Sequence, residues 1–208
     1  MKKSGFVILW FCFPFFPSFL YMSSAGSSWG VYPLSIALGV YSYTLLAGQL
    51  FLISRPLWLQ RILSVKEILT LHSAVPLIVL ALSLVHRFLK ESAGFSLETA
   101  QAIIGLASWF FLLLVIVAAL LLLANTFITK NKFMKNIKDR VYSAFKLSYS
   151  KVRASHNMTV LLAAVLCVHV FLSSLSDVSF NPAGTFVLFA WTLFCFVSYI
   201  VYRIRGRK

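Results

Sequence analysis

Apolar residues in this chain come in long unbroken runs, not at the spacing of a half-buried soluble helix. Six runs stand out: Phe6–Met22, Val31–Ser54, Ile68–Phe88, Ala100–Ala124, Met158–Leu175 and Thr185–Tyr202. A helix that crosses a bilayer needs roughly 17 to 25 predominantly apolar residues. All six qualify, the first and the last two near the short end. The pattern predicts an all-α polytopic membrane protein, a six-transmembrane-helix bundle forming one membrane domain over residues 1-208. The polar stretches between runs are short, apart from residues 125-155. There Phe133, Ile137, Val141 and Phe145 recur every four residues while Lys132, Lys135, Lys138 and Arg140 occupy other faces. This predicts a short amphipathic helix at headgroup level, facing anionic lipid. The same cations also suit an acidic partner protein.

Composition agrees with the runs. The chain is 60% hydrophobic and 12% charged, with a formal net charge of +14, where a soluble domain carries about 25% charged residues. So large a positive charge invites a nucleic-acid reading, but its distribution points to topology instead. If the N-terminus is cytoplasmic and six helices alternate, every basic residue except Arg87 and Lys90 falls on the cytoplasmic side. The positive-inside rule demands such a bias. Both termini are therefore expected in the cytoplasm, with a bacterial inner membrane as the setting and no nucleic-acid partner.

The first run admits two readings. Lys2 and Lys3, an apolar stretch and then Ser23-Ser24-Ala25 fit a secretory signal cleaved after Ala25. Pro14, Pro17 and the bulky phenylalanines fit a retained helix. Cys12, Cys167 and Cys195 lie inside apolar runs and read as buried small side chains. The absence of C-x-x-C-H argues against covalently attached haem. No glycine-rich phosphate loop is present, so no flavin or nicotinamide site is visible. The five acidic residues lie in loops or at helix ends and form no paired-carboxylate site.

The chemistry concentrates in four histidines, His72, His86, His156 and His169, the only ones in the chain. Ionisable residues inside a membrane are costly and mark function, and neutral imidazole is a common metal and haem ligand. One pair lies on the third run, and the other on or beside the fifth. The third and fifth helices run in the same direction, so His72 is level with His156, and His86 with His169. At 1.5 Å per residue the two gaps span about 21 Å and about 19.5 Å. Rotation fits less well. His86 returns to within roughly 40° of His72, whereas His169 lies roughly 140° from His156 on an ideal helix. His156 is expected at the start of its helix, where geometry departs easily from ideal, and Pro76 permits a kink near His72. Two haem propionates would need cations: Arg61, Lys66 and Arg153 at the inner level, Arg87 and Lys90 at the outer.

On these residues, Ile68–His72 through Leu84–His86 and Leu147–His156 through Cys167–His169, the chain resembles the ferric reductase-like transmembrane domain shared by ferric reductases and NADPH oxidases. The resemblance implies two non-covalent haem b groups as cofactors, one held by His72 and His156 and the other by His86 and His169. It implies electron transfer from a cytoplasmic donor to an outer acceptor such as ferric iron or dioxygen. Typical members carry a flavin- and NAD(P)H-binding domain after the sixth helix, and this sequence does not. Three readings follow: a separate soluble flavoprotein reductase docks on the basic inner surface, electrons come from quinol, or the chain is a fragment of a longer reductase. A related branch supplies the haem subunit of a periplasmic methionine sulfoxide reductase, an alternative acceptor. Two readings outside electron transfer remain open: a histidine-dependent metal or proton transporter, against which the lack of intramembrane acids counts, and a membrane subunit that only anchors partners.

Overall fold

The computed structural model describes residues 2–26, 30–96, 98–123 and 131–206. All regular structure among them is helical, and six helical segments of 22 to 28 residues are long and apolar enough to cross a membrane. The chain is an all-α integral membrane protein built as a six-helix bundle. The expected cations Lys130, Arg207 and Lys208, and residues 125–130 of the long polar stretch, lie outside the described residues.

The first span is not one straight helix. It consists of α1 (Lys3–Cys12) and α2 (Phe15–Ser24), joined by a turn at Phe13 and Pro14. Proline lacks the amide that would continue the ladder. The second span, α3 (Val31–Ser54), is the centre of the bundle. Ser35, Thr44, Leu45, Ala47 and Leu52 are almost wholly buried on it. Small residues allow this approach: a Cβ on Gly48 would lie 2.7 Å from the Trp10 ring. In lipid, helices are held together by close packing and interhelical hydrogen bonds, not by expulsion of water. Here Trp191 Nε1 donates to the Thr44 carbonyl at 3.0 Å, and the Tyr43 and Thr192 hydroxyls pair at 3.1 Å. Both bonds tie α3 to the sixth span.

A four-residue helix, α4 (Leu57–Gln60), leads to the third span, α5 (Val65–Ser92). Ser64 opens α5 with a capping box. Its hydroxyl accepts from the Glu67 amide at 3.3 Å, and Glu67 accepts from the Ser64 amide at 2.7 Å. Such reciprocal caps satisfy two otherwise orphaned amides. The helix continues through Pro76. The fourth span, α6 (Ala100–Ala118), ends in a π-helical turn, Ala119–Leu123.

The amphipathic helix is present as α7 (Lys132–Ala144), with Asn131 capping it. Phe145, expected on its apolar stripe, lies one residue past its end and is exposed. Tyr142 donates to the Leu122 carbonyl at 3.1 Å, fastening α7 to the π-helical turn.

The fifth span departs from the run Met158–Leu175. It begins earlier, as α8 (Tyr149–His156), breaks at Asn157 and Met158, and resumes as α9 (Thr159–Phe171). A 3₁₀ turn, Ser174–Ser176, leads to the sixth span, α10 (Pro182–Arg205), capped by Asn181.

Contacts between chain-distant residues define the two ends of the bundle. Lys3 bridges Glu67 at 2.8 Å, and Arg55 donates to the Tyr202 hydroxyl at 3.5 Å. These join the start of span one to the start of span three, and the end of span two to the end of span six, at what we term the basic end. At the far end Tyr21 pairs with Ser176 at 3.0 Å, and Tyr32 stacks on Phe95. This alternation is that of six consecutive crossings. The cysteines differ from the sequence expectation. Cys195 is buried and Cys167 partly so, but Cys12 is exposed. It falls on the outward side of α1, where a small side chain faces lipid.

Candidate haem-binding site

The four histidines sit at two depths. His72, on α5, and His156, the last residue of α8, bring their rings together nearer the basic end. The ring centres are 6.1 Å apart and the planes are nearly perpendicular, at 88°. Two imidazole nitrogens bound to one metal at about 2 Å each, with each ring centre about 1 Å behind its nitrogen, require centres roughly 6 Å apart. The observed spacing fits one iron between the rings.

The break after His156 explains how the pair meets. A continuous helix would turn His156 and His169 to different faces. Asn157 and Met158 keep helical backbone angles but their amides bond three residues back, to the Ala154 and Ser155 carbonyls, which tightens the turn between α8 and α9. The expectation that His156 opens the membrane helix is therefore corrected: it closes a short helix of its own.

The outer pair is seated differently. His86 Nδ1 lies 2.6 Å from the Ser35 carbonyl of α3, and His169 Nδ1 lies 2.8 Å from the Gln101 carbonyl of α6. A carbonyl only accepts, so each Nδ1 carries the proton and donates. Each Nε2 is left unprotonated, the form of imidazole that can bind a metal. Four residues after each carbonyl comes a glycine, Gly39 after Ser35 and Gly105 after Gln101. A Cβ on Gly39 would approach His86 to 2.8 Å, and one on Gly105 would approach His169 to 2.6 Å. Each ring thus packs against a bare turn of a neighbouring helix and reaches the carbonyl one turn back. Gln101 adds a further tie, its side-chain amide donating to the His169 carbonyl at 3.4 Å.

His86 and His169 both border a cavity of about 400 Å³ in the far half of the bundle. Its walls are mainly apolar, as in most cofactor sites, and Ser108 contributes a buried hydroxyl without a partner. The cations Arg87 and Lys90 also line it. Arg87 is paired with Glu91 at 2.7 Å. The Lys90 ammonium lies 4.7 Å from the Tyr32 ring centre and 4.1 Å from that of Phe95. Aromatic faces attract a cation in this way, and here they fix Lys90 at the cavity wall. Arg61 and Arg153 are both exposed near the basic end, Arg61 just after α4 and Arg153 on α8 three residues before His156. Lys66 is exposed on the first turn of α5.

Among the described residues no group of three or more His, Cys, Asp and Glu side chains could hold a bare ion. The donor set is two pairs of imidazoles, which suits a macrocycle that fills the equatorial positions of its own metal. The glycine seats and the aromatic clamp on Lys90 were not foreseen from sequence. Their one linear trace is the repeated spacing in Ser35-Ile-Ala-Leu-Gly39 and Gln101-Ala-Ile-Ile-Gly105. Comparison with known protein families, with curated proteins and with solved structures finds no match to this chain.

Proposed function

We propose that this protein carries electrons across the membrane through two haem b groups, as the resemblance to ferric reductase-like domains implies. His72 and His156 would hold one haem, and His86 and His169 the other. The observation that carries the reading is the 6.1 Å separation of the His72 and His156 rings. Bound haem would supply one-electron chemistry at iron. The protein's part would be to hold each haem between two imidazoles and to exclude water with apolar walls, an arrangement that suits electron transfer without bond formation. Arg87 and Lys90 are placed to meet propionates at the outer level. Arg61, Lys66 and Arg153 are candidates at the inner one.

The basic end lies in the cytoplasm on the positive-inside rule, in a bacterial inner membrane. The donor is a reduced flavin, on a separate soluble flavoprotein reductase or on a further part of the same protein, or quinol. The acceptor at the far side is ferric iron, dioxygen or a reductase protein. The test is a reduced-minus-oxidised spectrum of protein purified from haem-replete cells, with haem counted per chain. Two haems per chain with a bis-imidazole spectrum support the reading. A preparation without a Soret band refutes it.

A further inference from the structure

The helix between the fourth and fifth spans, α7, carries a surface that the histidine pairs do not use. At one residue every 100°, Phe133, Met134, Ile137, Val141 and Phe145 fall within an arc of about 120°. Phe133 is 69% exposed and Phe145 72% exposed, so the protein leaves both ends of this stripe bare. Arg140 borders the arc on one side and Lys138 on the other, while Lys132 and Lys135 lie farther round the helix. Tyr142 lies outside the arc and bonds to the Leu122 carbonyl at 3.1 Å. That bond fastens α7 at the depth where the fourth span ends.

This is the layout of a helix lying in a membrane interface. Apolar residues enter the acyl boundary, and cations at its edges reach up to headgroup phosphates. From Lys132 to Arg153 there are seven cations and one acid, Asp139, opposite a leaflet whose anionic lipids attract them. A soluble acidic protein would meet the cations but leave the apolar arc in water.

A short hydrogen-bonded connection joins α7 to the inner histidine pair. Lys146 has φ of 47°, the left-handed region that glycine favours. The Lys146 and Leu147 amides turn back to the Ser143 and Tyr142 carbonyls at 3.2 Å and 2.9 Å, closing α7. Ser148 then caps α8 through the Lys151 amide at 3.3 Å. Like α7, α8 packs on the π-helical turn, with Val152 buried, and its last residue is His156.

We propose that α7 is a binding site for anionic lipid of the inner leaflet, and that lipid bound there steadies α8 and keeps His156 opposite His72. The lipid site stands apart from the two-haem reading; only its effect on haem retention rests on that reading.

The test is amide hydrogen exchange on the whole chain in lipid nanodiscs, one set of phosphatidylcholine alone and one with about one-third phosphatidylglycerol. A cation near an anionic surface gains about five-fold in binding. Lys138 and Arg140 together therefore predict α7 amides that exchange more slowly in the anionic discs, on the order of twenty-five-fold. Added salt should shrink the difference. Lys138→Gln combined with Arg140→Gln keeps good helix formers and should remove most of it. The α8 amides should slow in step. Equal exchange in the two kinds of disc, or a difference that salt leaves unchanged, overturns the lipid site. Equal protection by soluble polyglutamate in neutral discs assigns the face to an acidic protein and overturns it too. Protection of α7 without α8 breaks the link to His156. In haem-loaded protein, one haem of the two should pass to apomyoglobin faster from neutral discs, and equal transfer from both kinds also breaks that link. The exchange results do not depend on haem, so a chain without haem sinks the two-haem reading while exchange still decides the lipid site.

Discussion

Gly105 offers the sharpest test of how the outer ligands are held. In Gly105→Ala the new Cβ would stand 2.6 Å from His169 Cε1, 3.0 Å from Nδ1 and 3.2 Å from Nε2. Carbon atoms rest at about 3.5–4.0 Å, so the ring must retreat by about 1 Å. Both consequences are costly. Moving off Gly105 stretches the 2.8 Å bond to the Gln101 carbonyl, and leaving a buried donor unpaired costs about 1–3 kcal/mol. The same movement misplaces Nε2 against an iron that binds imidazole at about 2 Å. Loss of ligand support of this kind typically costs about 10–100-fold in affinity. On the two-haem proposal, haem per chain should fall from two toward one, as counted by pyridine haemochromogen, while the helical circular dichroism stays unchanged. Gly30→Ala is the control, since the nearest atom to its Cβ is Pro33 Cδ at 3.4 Å. Gly105→Ala protein with two haems and an unchanged spectrum would refute the account of the glycine seat.

Other expectations follow from the same geometry. His72→Ala, His156→Ala and the double variant should each lose the same single haem, because one ligand has little value without its opposite; haem counts that differ among the three would break the pairing. Gly48→Ala drives a Cβ to 2.7 Å from the Trp10 ring. Overpacking of this kind costs about 1–3 kcal/mol, so the variant should melt earlier in a detergent thermal-shift assay without loss of haem. Asn181 is buried and caps the sixth span through the Gly184 amide at 3.0 Å. Asn181→Ala should cost about 1 kcal/mol and speed amide exchange at the start of that helix.

The spans and the depths of the histidines were legible in the sequence because both depend on distance along the chain. Apolar runs mark where helices cross, and 1.5 Å per residue converts spacing to height. Rotation was less accessible. The 140° mismatch between His156 and His169 holds for an ideal helix, and the structure departs from one at Asn157 and Met158, a tightened turn whose residues carry no strong breaking signal. Pro14 carries such a signal, and the first span does turn there. Gly39 and Gly105 were beyond reach for a different reason. Each acts on a ring borne by another helix, and linear order does not show which helices adjoin. Cys12 illustrates the converse. In a membrane an apolar run has two sides, and run membership alone does not say which side a residue takes.

The two-residue pause after His156 divides the fifth crossing into separate rods, each bearing one imidazole. The shorter rod leans on the π-helical turn that Tyr142 fastens to the amphipathic helix. The longer one is pinned by Gln101. A tilt imposed at the basic end would reach His156 first, while Gln101 holds His169.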